Sequence, residues 1–282
     1  MEGGCTACGV SGHSHVTCVL LGAALHRWML QLGPGQDMTL VVDIILRLLM
    51  WGWREARFDE SLLQEITCLS YTPGGDIISA GGRGGSVFFM SAQTGEKILC
   101  PVTSDNVIRC VTFSPDGKII AAGGCDASLW QSGKVHLWDV ATGTRIGSPL
   151  TVDSIVESVV FSPDGSIIAA AYSNKIQLFD AQTQEKLGSP LTVDSGDLGV
   201  LSLSYSPAGG MIAAGCYNGK IYFLDAQSGE VKRSVNAHSD YVRTVSWSAC
   251  GKWLVSGGDD KKINIYDAQT FQVKRALTGH SR

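Results

Sequence analysis

Four residues near the start of the chain have the types and the spacing of a metal site. They are Cys5, Cys8, His13 and Cys18, in the order C-x2-C-x4-H-x4-C. Thiolate sulfur and imidazole nitrogen are ligands that Zn²⁺ prefers, and four of them complete a closed tetrahedral shell, which is the structural kind of zinc site. The spacing therefore predicts a small zinc-stabilised leader over about residues 1–20, which would need the metal in order to fold.

This leader resembles the CCHC zinc knuckle family, including its Cys-Gly and Gly-His pairs. Zinc knuckles bind single-stranded nucleic acid through aromatic and basic side chains, so the resemblance implies an RNA-associated adaptor as an alternative function. The leader departs from that pattern, because no Lys or Arg comes before Arg27. A chance match in a Gly-, Cys- and His-rich segment is the other interpretation, and nucleic acid is not expected as the main partner.

No combination of residues in the chain predicts catalysis. The glycine-rich segment at 81–86 lacks the G-x4-G-K-[ST] spacing of a phosphate loop and falls between two predicted strands. His238, Ser239 and Asp240 are adjacent in sequence, so their side chains point in different directions and do not form a hydrolase triad. The Asp-containing turns have no metal-ligand spacing. We therefore expect no enzyme, no catalytic residue and no cofactor besides the zinc.

The composition restricts the class of protein. Of the 282 residues, 44% are hydrophobic and 17% are charged, which indicates a folded chain. The net charge of −4, with no long basic run, argues against a large nucleic-acid surface. Nine cysteines without a disulfide framework after residue 60, and an N-terminus without a secretory signal, favour free thiols in the cytoplasm or nucleus.

Two apolar runs, 16–32 and 38–53, follow the leader and are separated by Gly-Pro-Gly at 33–35. They predict two helices joined by a turn, and a polar linker follows at 54–61; the apolar helical segment and its linker are assigned to about residues 21–60. Each run is shorter than the ~20 apolar residues of a membrane span and contains an Arg. We therefore expect the region to pack against the following domain or a partner, with a membrane segment as the alternative.

From residue 64 onwards, one pattern occurs five times. Each copy contains a first strand, a turn such as SPDG, a second strand rich in Ala and Gly, and a third strand that runs into a turn such as AQTG. The turn glycines recur 42, 48, 44 and 42 residues apart, at Gly75, Gly117, Gly165, Gly209 and Gly251. One four-stranded unit of this kind cannot bury both of its faces, so the copies are predicted to stack as blades.

This repeat resembles the WD40 β-propeller family over residues 64–282. The Trp-Asp pair typical of the family stands at Trp138-Asp139, while the first copy has Met90-Ser91 there. The resemblance implies an all-β propeller and a non-catalytic protein–protein interaction scaffold, a member of a larger complex that binds peptides or domains. It also implies a structural hydrogen-bond chain, whose positions in the fifth copy are His238, Ser256, Asp260 and Tyr266.

The predicted blades span about residues 64–101, 106–150, 154–192, 198–235 and 240–279. Five blades lie at the low end of the ~4–8 found in closed propellers. The last residues, TGHSR, match the start of a further repeat, so the expectation is an incomplete array from a six- to eight-bladed protein, with a five-bladed ring as the alternative. On this interpretation, the outer strand at 271–277 faces a neighbour outside this sequence.

One column of the first strands varies while the column directly before it stays apolar: Thr67, Arg109, Glu157, Leu201 and Arg243. Each residue follows a predicted core position, so its side chain points away from the core, toward the propeller face and the channel mouth. Arg and Tyr are frequent in binding hot spots, which adds Tyr241, and an insertion in the second copy places Trp130 on a loop. These seven residues are the predicted partner-binding positions, with simple solvation as the alternative.

Overall fold

The computed structural model describes residues 66–126, 132–195 and 199–278. Within these ranges, the chain forms twenty strands in five four-stranded antiparallel sheets, one for each sequence repeat. The prediction of an all-β protein with five four-stranded blades is therefore confirmed. The predicted zinc ligands Cys5, Cys8, His13 and Cys18, the apolar runs and Trp130 lie outside the described residues.

The strands follow one another in sequence order within each blade. Blade 1 contains β1 (Ile66–Tyr71), β2 (Ile77–Gly82), β3 (Ser86–Ser91) and β4 (Lys97–Thr103). Blade 2 contains β5 (Asn106–Phe113), β6 (Ile119–Asp126), β7 (Gly133–Asp139) and β8 (Leu150–Val152). Blade 3 contains β9 (Val156–Phe161), β10 (Ile167–Tyr172), β11 (Lys175–Asp180) and β12 (Leu191–Thr192). Blade 4 contains β13 (Val200–Tyr205), β14 (Met211–Cys216), β15 (Lys220–Asp225) and β16 (Val231–Asn236). Blade 5 contains β17 (Val242–Trp247), β18 (Trp253–Gly258), β19 (Lys262–Asp267) and β20 (Val273–Thr278).

The turn between the first and second strands is closed by side chains as well as by the backbone. In blade 2, the Ser114 hydroxyl donates to Asp116 at 2.6 Å and accepts the amide of Ile119 at 2.9 Å. Gly117 has a φ of 74°, which a residue with a side chain adopts at a cost. The SPDG sequence therefore specifies the tight hairpin that brings the second strand back beside the first.

The Asp of the Trp-Asp pair closes the turn after the third strand. The Asp139 carboxylate accepts the backbone amide of Thr142 at 2.8 Å and its hydroxyl at 2.9 Å. These hydrogen bonds, the amide bond first, lower the pKa of Asp139. In blade 1, the Ser91 hydroxyl accepts the amides of Gln93 and Thr94, each at 3.2 Å. The departure from Trp-Asp in the first copy therefore preserves the turn.

The core lies between neighbouring blades. We call the sheet face turned toward the next blade in sequence the front face, and the opposite one the back face. Ile221 and Phe223 on the front face of blade 4 are fully buried in one cluster with Trp247 on the back face of blade 5. A Cβ atom on Gly215 would lie 2.8 Å from Val242 Cγ1 of the next blade. The small residues of the second strands therefore allow the blades to approach closely.

Neighbouring blades meet through their sheet faces, to which single outer-strand residues such as Val152 of β8 and Val235 of β16 also contribute. The first strands pack in sequence order, β1 with β5, β5 with β9, β9 with β13 and β13 with β17. Among the described strands, β17 and β1 do not pack together to the same extent. The outer strand β20 is largely exposed, but so is β16, although blade 5 follows it. The outer strand at 271–277 has the same burial pattern as β16, and its contact with a neighbour outside this sequence stays a prediction.

Candidate partner-binding site

A buried hydrogen-bond chain fixes the loop that enters blade 5. His238 Nδ1 lies 2.7 Å from Asp260 Oδ1, and His238 Nε2 lies 2.7 Å from Ser256 Oγ. The Ser256 hydroxyl donates in turn to the Tyr266 hydroxyl at 3.5 Å, and the Ser239 amide donates to Asp260 at 3.2 Å. Burial raises the pKa of Asp260, but the hydrogen bonds from His238 and Ser239 outweigh it, so the net shift is downward.

This chain defines the upper face of the propeller. Asp260 lies in the turn between the second and third strands of blade 5, and His238 lies in the loop that leads into the first strand. Their contact places both connections at the same end of the sheet. The upper face is therefore the side formed by these turns and entry loops, and it holds the starts of the first strands.

A second kind of polar contact occurs in the third strands of blades 2 to 5. These strands carry a polar side chain at an equivalent central position, namely His136, Gln177, Tyr222 and Asn264, whereas blade 1 has Phe88 there. His136 Nε2 lies 2.9 Å from Asn106 Oδ1, and Asn264 donates to the Ala237 carbonyl at 2.7 Å. The Tyr222 hydroxyl donates to the Asp194 carbonyl. Sequence analysis missed this column, although a polar residue inside an otherwise apolar strand is a signal that could have identified it.

An ion pair joins the first strands of blades 2 and 3 at the upper face. Arg109 Nη2 and Glu157 Oε2 are 2.7 Å apart, and Arg109 Nε donates to the same oxygen at 2.8 Å. The Glu157 side chain is 16% exposed and that of Arg109 is 35% exposed, so the pair is only partly accessible to water. The two predicted binding residues are therefore brought together and bind each other.

A second ion pair lies on blade 5 beside two tyrosine rings. Arg243 Nη2 is 2.6 Å from Asp259 Oδ2, and Arg243 Nε donates to both carboxylate oxygens. The guanidinium carbon lies 5.3 Å from the ring centroid of Tyr241, within range of a cation–π interaction. Tyr217, from the second-to-third-strand turn of blade 4, packs edge-on against Tyr241 with the centroids 4.9 Å apart. The arrangement presents an arginine fork and two rings on one surface.

Tyr217 lies in the electrostatic field of both ion pairs. Burial is the main reason that its pKa is raised, and Glu157 raises it further, while Arg109 and Arg243 act in the opposite direction. Charges on blades 2, 3 and 5 therefore converge on a ring of blade 4. We call this set the upper-face patch, and its members are Arg109, Glu157, Tyr217, Tyr241, Arg243 and Asp259.

Two other predicted binding residues contribute less to this surface. The Thr67 hydroxyl donates to the Ile108 carbonyl of the next blade at 2.5 Å, so it serves the packing of blades 1 and 2. Leu201 is partly buried on β13 and carries no polar group. Sequence reasoning missed Tyr217, because the repeat pattern does not encode the position of its turn relative to blade 5. It also missed Asp259, whose contact with Arg243 is made within blade 5 but between residues sixteen positions apart.

Two family models match the chain. The model described as WD domain, G-beta repeat matches residues 98–139, 147–180 and 229–267. The model described as Anaphase-promoting complex subunit 4 WD40 domain matches residues 189–245, and the two together cover more than half of the sequence. The chain belongs to the WD-repeat family. WD-repeat propellers are in general non-catalytic and mediate protein–protein interactions. No curated protein matches the chain.

The described part of this WD-repeat propeller contains no group of three or more His, Cys, Asp and Glu residues that could hold a metal ion. Over the same ranges, none of the elements is a helix long and apolar enough to span a membrane. Five cysteines of the propeller are free thiols: Cys68, Cys110, Cys125, Cys216 and Cys250. Burial raises the pKa of the Cys68 thiol to about 12, so this side chain acts as a small apolar residue of the core.

Proposed function

We propose that this protein is a scaffold that binds a segment or domain of a partner protein on the upper-face patch. The observation that carries the proposal is the convergence of two Arg–carboxylate pairs and a tyrosine pair on one surface built by blades 2 to 5. Strand ends and turns held by rigid sheets are positions where binding residues gather. Tyr and Arg are also the residue types that contribute most often to binding hot spots.

The patch can exchange its internal contacts for contacts with a partner. The Arg243–Asp259 pair is about half exposed on the arginine side, and such a pair is worth about 1 kcal/mol or less. A partner carboxylate or backbone carbonyl can therefore accept from the Arg243 fork at little cost, while the rings of Tyr217 and Tyr241 supply apolar area. The binding mode that fits is recognition of a polar or acidic peptide segment.

The matched family models support a role within a multiprotein assembly. One of them describes the WD40 domain of a subunit of the anaphase-promoting complex. We extend to this chain only the general property that such a propeller is one component of a larger complex. The cytoplasm or nucleus remains the proposed location, in keeping with the free thiols of the propeller.

Charge reversal tests this function. Immobilised wild-type protein is compared with the Arg109→Glu/Arg243→Glu double variant by quantitative capture of partner proteins. The control is Lys118→Glu/Lys232→Glu, which makes the same charge change at exposed lysines outside the patch. We expect at least a tenfold loss of captured partner for the patch variant and none for the control. Unchanged capture by the patch variant would show that the proposed face is wrong.

The spacing of Cys5, Cys8, His13 and Cys18 supports a second candidate function, an RNA-associated adaptor with a zinc-stabilised leader. This function requires one zinc ion per chain, and the ion should be lost when Cys8→Ser removes a ligand. Zinc analysis of the purified protein and its Cys8→Ser variant tests it. Metal-free wild-type protein would exclude this candidate without affecting the upper-face patch.

A further inference from the structure

The front face of blade 5 is apolar but only partly covered. Trp253 on this face is 40% exposed, and Val255, Ile263 and Ile265 are partly exposed. The equivalent positions on the front face of blade 4 are occupied by residues such as Ala213, Ile221 and Phe223, all of which are fully buried. On the back face of blade 5, by contrast, Leu254, Ser256 and Tyr266 are at most 1% exposed. The sheet of blade 5 is therefore buried on one side.

The surroundings of the second-strand glycines lead to the same conclusion. A Cβ atom on Gly215 would meet Val242 and Val245 of the next blade, at 2.8 and 2.9 Å. A Cβ atom on the equivalent Gly257 would meet only Thr244 of its own blade within 4 Å, at 3.3 Å. The front face of blade 5 thus has the apolar composition of an inter-blade surface without the close contact that such a surface makes elsewhere in the described chain.

Blade 1 shows the complementary pattern. On its back face, Leu69, Tyr71, Ile78 and Met90 are all partly exposed. Their counterparts on the back face of blade 5 are Val245, Trp247, Leu254 and Tyr266, none more than 6% exposed. Because β17 and β1 do not pack together as the other first strands do, these two apolar faces do not cover each other as the faces between blades 1 to 5 do.

We propose that residues 38–53 of this chain pack on the front face of blade 5 and cover it. The segment is apolar except for a few residues, and its charged residues are Asp43 and Arg47. As a helix, it would place Val41, Ile45, Leu48 and Leu49 on one stripe, at the i, i+4, i+7 and i+8 spacing, opposite the charged pair. That stripe is apolar, as are the back faces that cover the front faces of blades 1 to 4.

The dimensions agree with this placement. Sixteen residues form a helix of about 24 Å and about 10 Å in diameter. A six-residue strand is about 20 Å long, and packed sheets lie about 10 Å apart. A helix of this length and diameter therefore has the size needed to form one layer on the face of a blade. The twelve residues 54–65 connect the segment to β1 and can span up to about 40 Å. The segment can therefore reach blade 5 from the blade that it precedes.

A site-specific photo-crosslink tests the placement in the full chain. The crosslinker p-benzoylphenylalanine replaces Ile265 on the front face, or Lys274 on the exposed strand β20 as the control position. Mixing ¹⁴N- and ¹⁵N-labelled protein before irradiation distinguishes links within one chain from links between copies. We expect the position-265 probe to link to residues 38–53 of its own chain, with at least a tenfold lower yield from position 274.

Three outcomes overturn the proposal. They are links from position 265 to a second copy, links to a different segment, and equal yields from positions 265 and 274. Paired variants then test the side chains of the segment. Ile45→Asp/Leu49→Asp should reduce the intrachain link at least tenfold, whereas Asp43→Ala/Arg47→Ala on the opposite side of the helix should preserve it. Equal yields from the two variants would also contradict the proposal.

Discussion

Arg109 on β5 and Glu157 on β9 form an ion pair across the boundary between blades 2 and 3, with Nη2 and Oε2 2.7 Å apart. Glu157 also lies among the charges that act on Tyr217 in blade 4. One pair of side chains therefore both joins two blades and contributes charge to the surface that we propose as the binding site. Its contribution to stability and its contribution to binding can be measured separately.

The Arg109–Glu157 pair should show a small but measurable coupling. Because both side chains are partly exposed, we expect a coupling free energy of about 0.5–1 kcal/mol. A double-mutant cycle of Arg109→Ala, Glu157→Ala and the double variant, followed by urea unfolding, gives this value. A coupling of zero would mean that the pair does not stabilise the fold.

The His238 chain should contribute more, because it is buried. Ser256→Ala removes the hydroxyl at 2.7 Å from His238 Nε2 and leaves a buried nitrogen without its partner. We expect a loss of about 1–3 kcal/mol in the free energy of unfolding. The control Ser234→Ala, on the exposed strand β16, should change it by less than about 0.5 kcal/mol. Equal effects of the two substitutions would argue against the chain as a stabilising element.

His136 should make the stability depend on pH. Burial first, and then Arg145 and Lys134, lower its pKa from 6.5 to about 4, and its Nδ1 has no hydrogen-bond partner among the described residues. Below pH 6.5 the unfolded chain binds a proton that the folded chain does not bind, so stability falls from pH 6.5 to about 4, by up to about 3 kcal/mol. Below pH 4 this contribution levels off.

Urea unfolding at several pH values between 7.5 and 4.5 tests this dependence. The variant His136→Gln keeps a polar side chain at the position, as Gln177 does in blade 3. We expect the variant to lose most of the pH dependence in this window. An unchanged pH dependence would place its origin in other groups.

The second-strand glycines should differ according to what faces them. Gly215→Ala introduces a Cβ atom 2.8 Å from Val242, so we expect a loss of about 1–3 kcal/mol through overpacking. Gly257→Ala introduces a Cβ atom whose nearest neighbour is Thr244 at 3.3 Å, and its effect should stay within about 0.5 kcal/mol. Thermal or urea unfolding of the two variants provides the comparison, and equal losses would contradict the assignment of Gly215 to a blade contact.

The repeat pattern predicted the blades but not the contacts between them. Turn chemistry and strand alternation are local, so five sheets and the glycine turns could be located in the sequence, and the resemblance to the WD-repeat family indicated His238, Ser256 and Asp260. The pairing of Arg109 with Glu157 depends on the stagger between two blades, which no local pattern encodes. For the same reason, the packing of Tyr217 on Tyr241 could not be predicted, although each residue lies in a recognisable connection.

The most direct test of the scaffold function is a photo-crosslink from the upper-face patch itself. The crosslinker p-benzoylphenylalanine replaces Tyr217 in the full chain, or Lys232 on the outer strand of blade 4 as the control. After irradiation in the presence of the partners captured by the wild-type protein, we expect covalent partner adducts from position 217 at a yield at least ten times that from position 232. Equal yields from the two positions, or adducts from position 232 alone, would contradict the assignment of partner binding to the upper face.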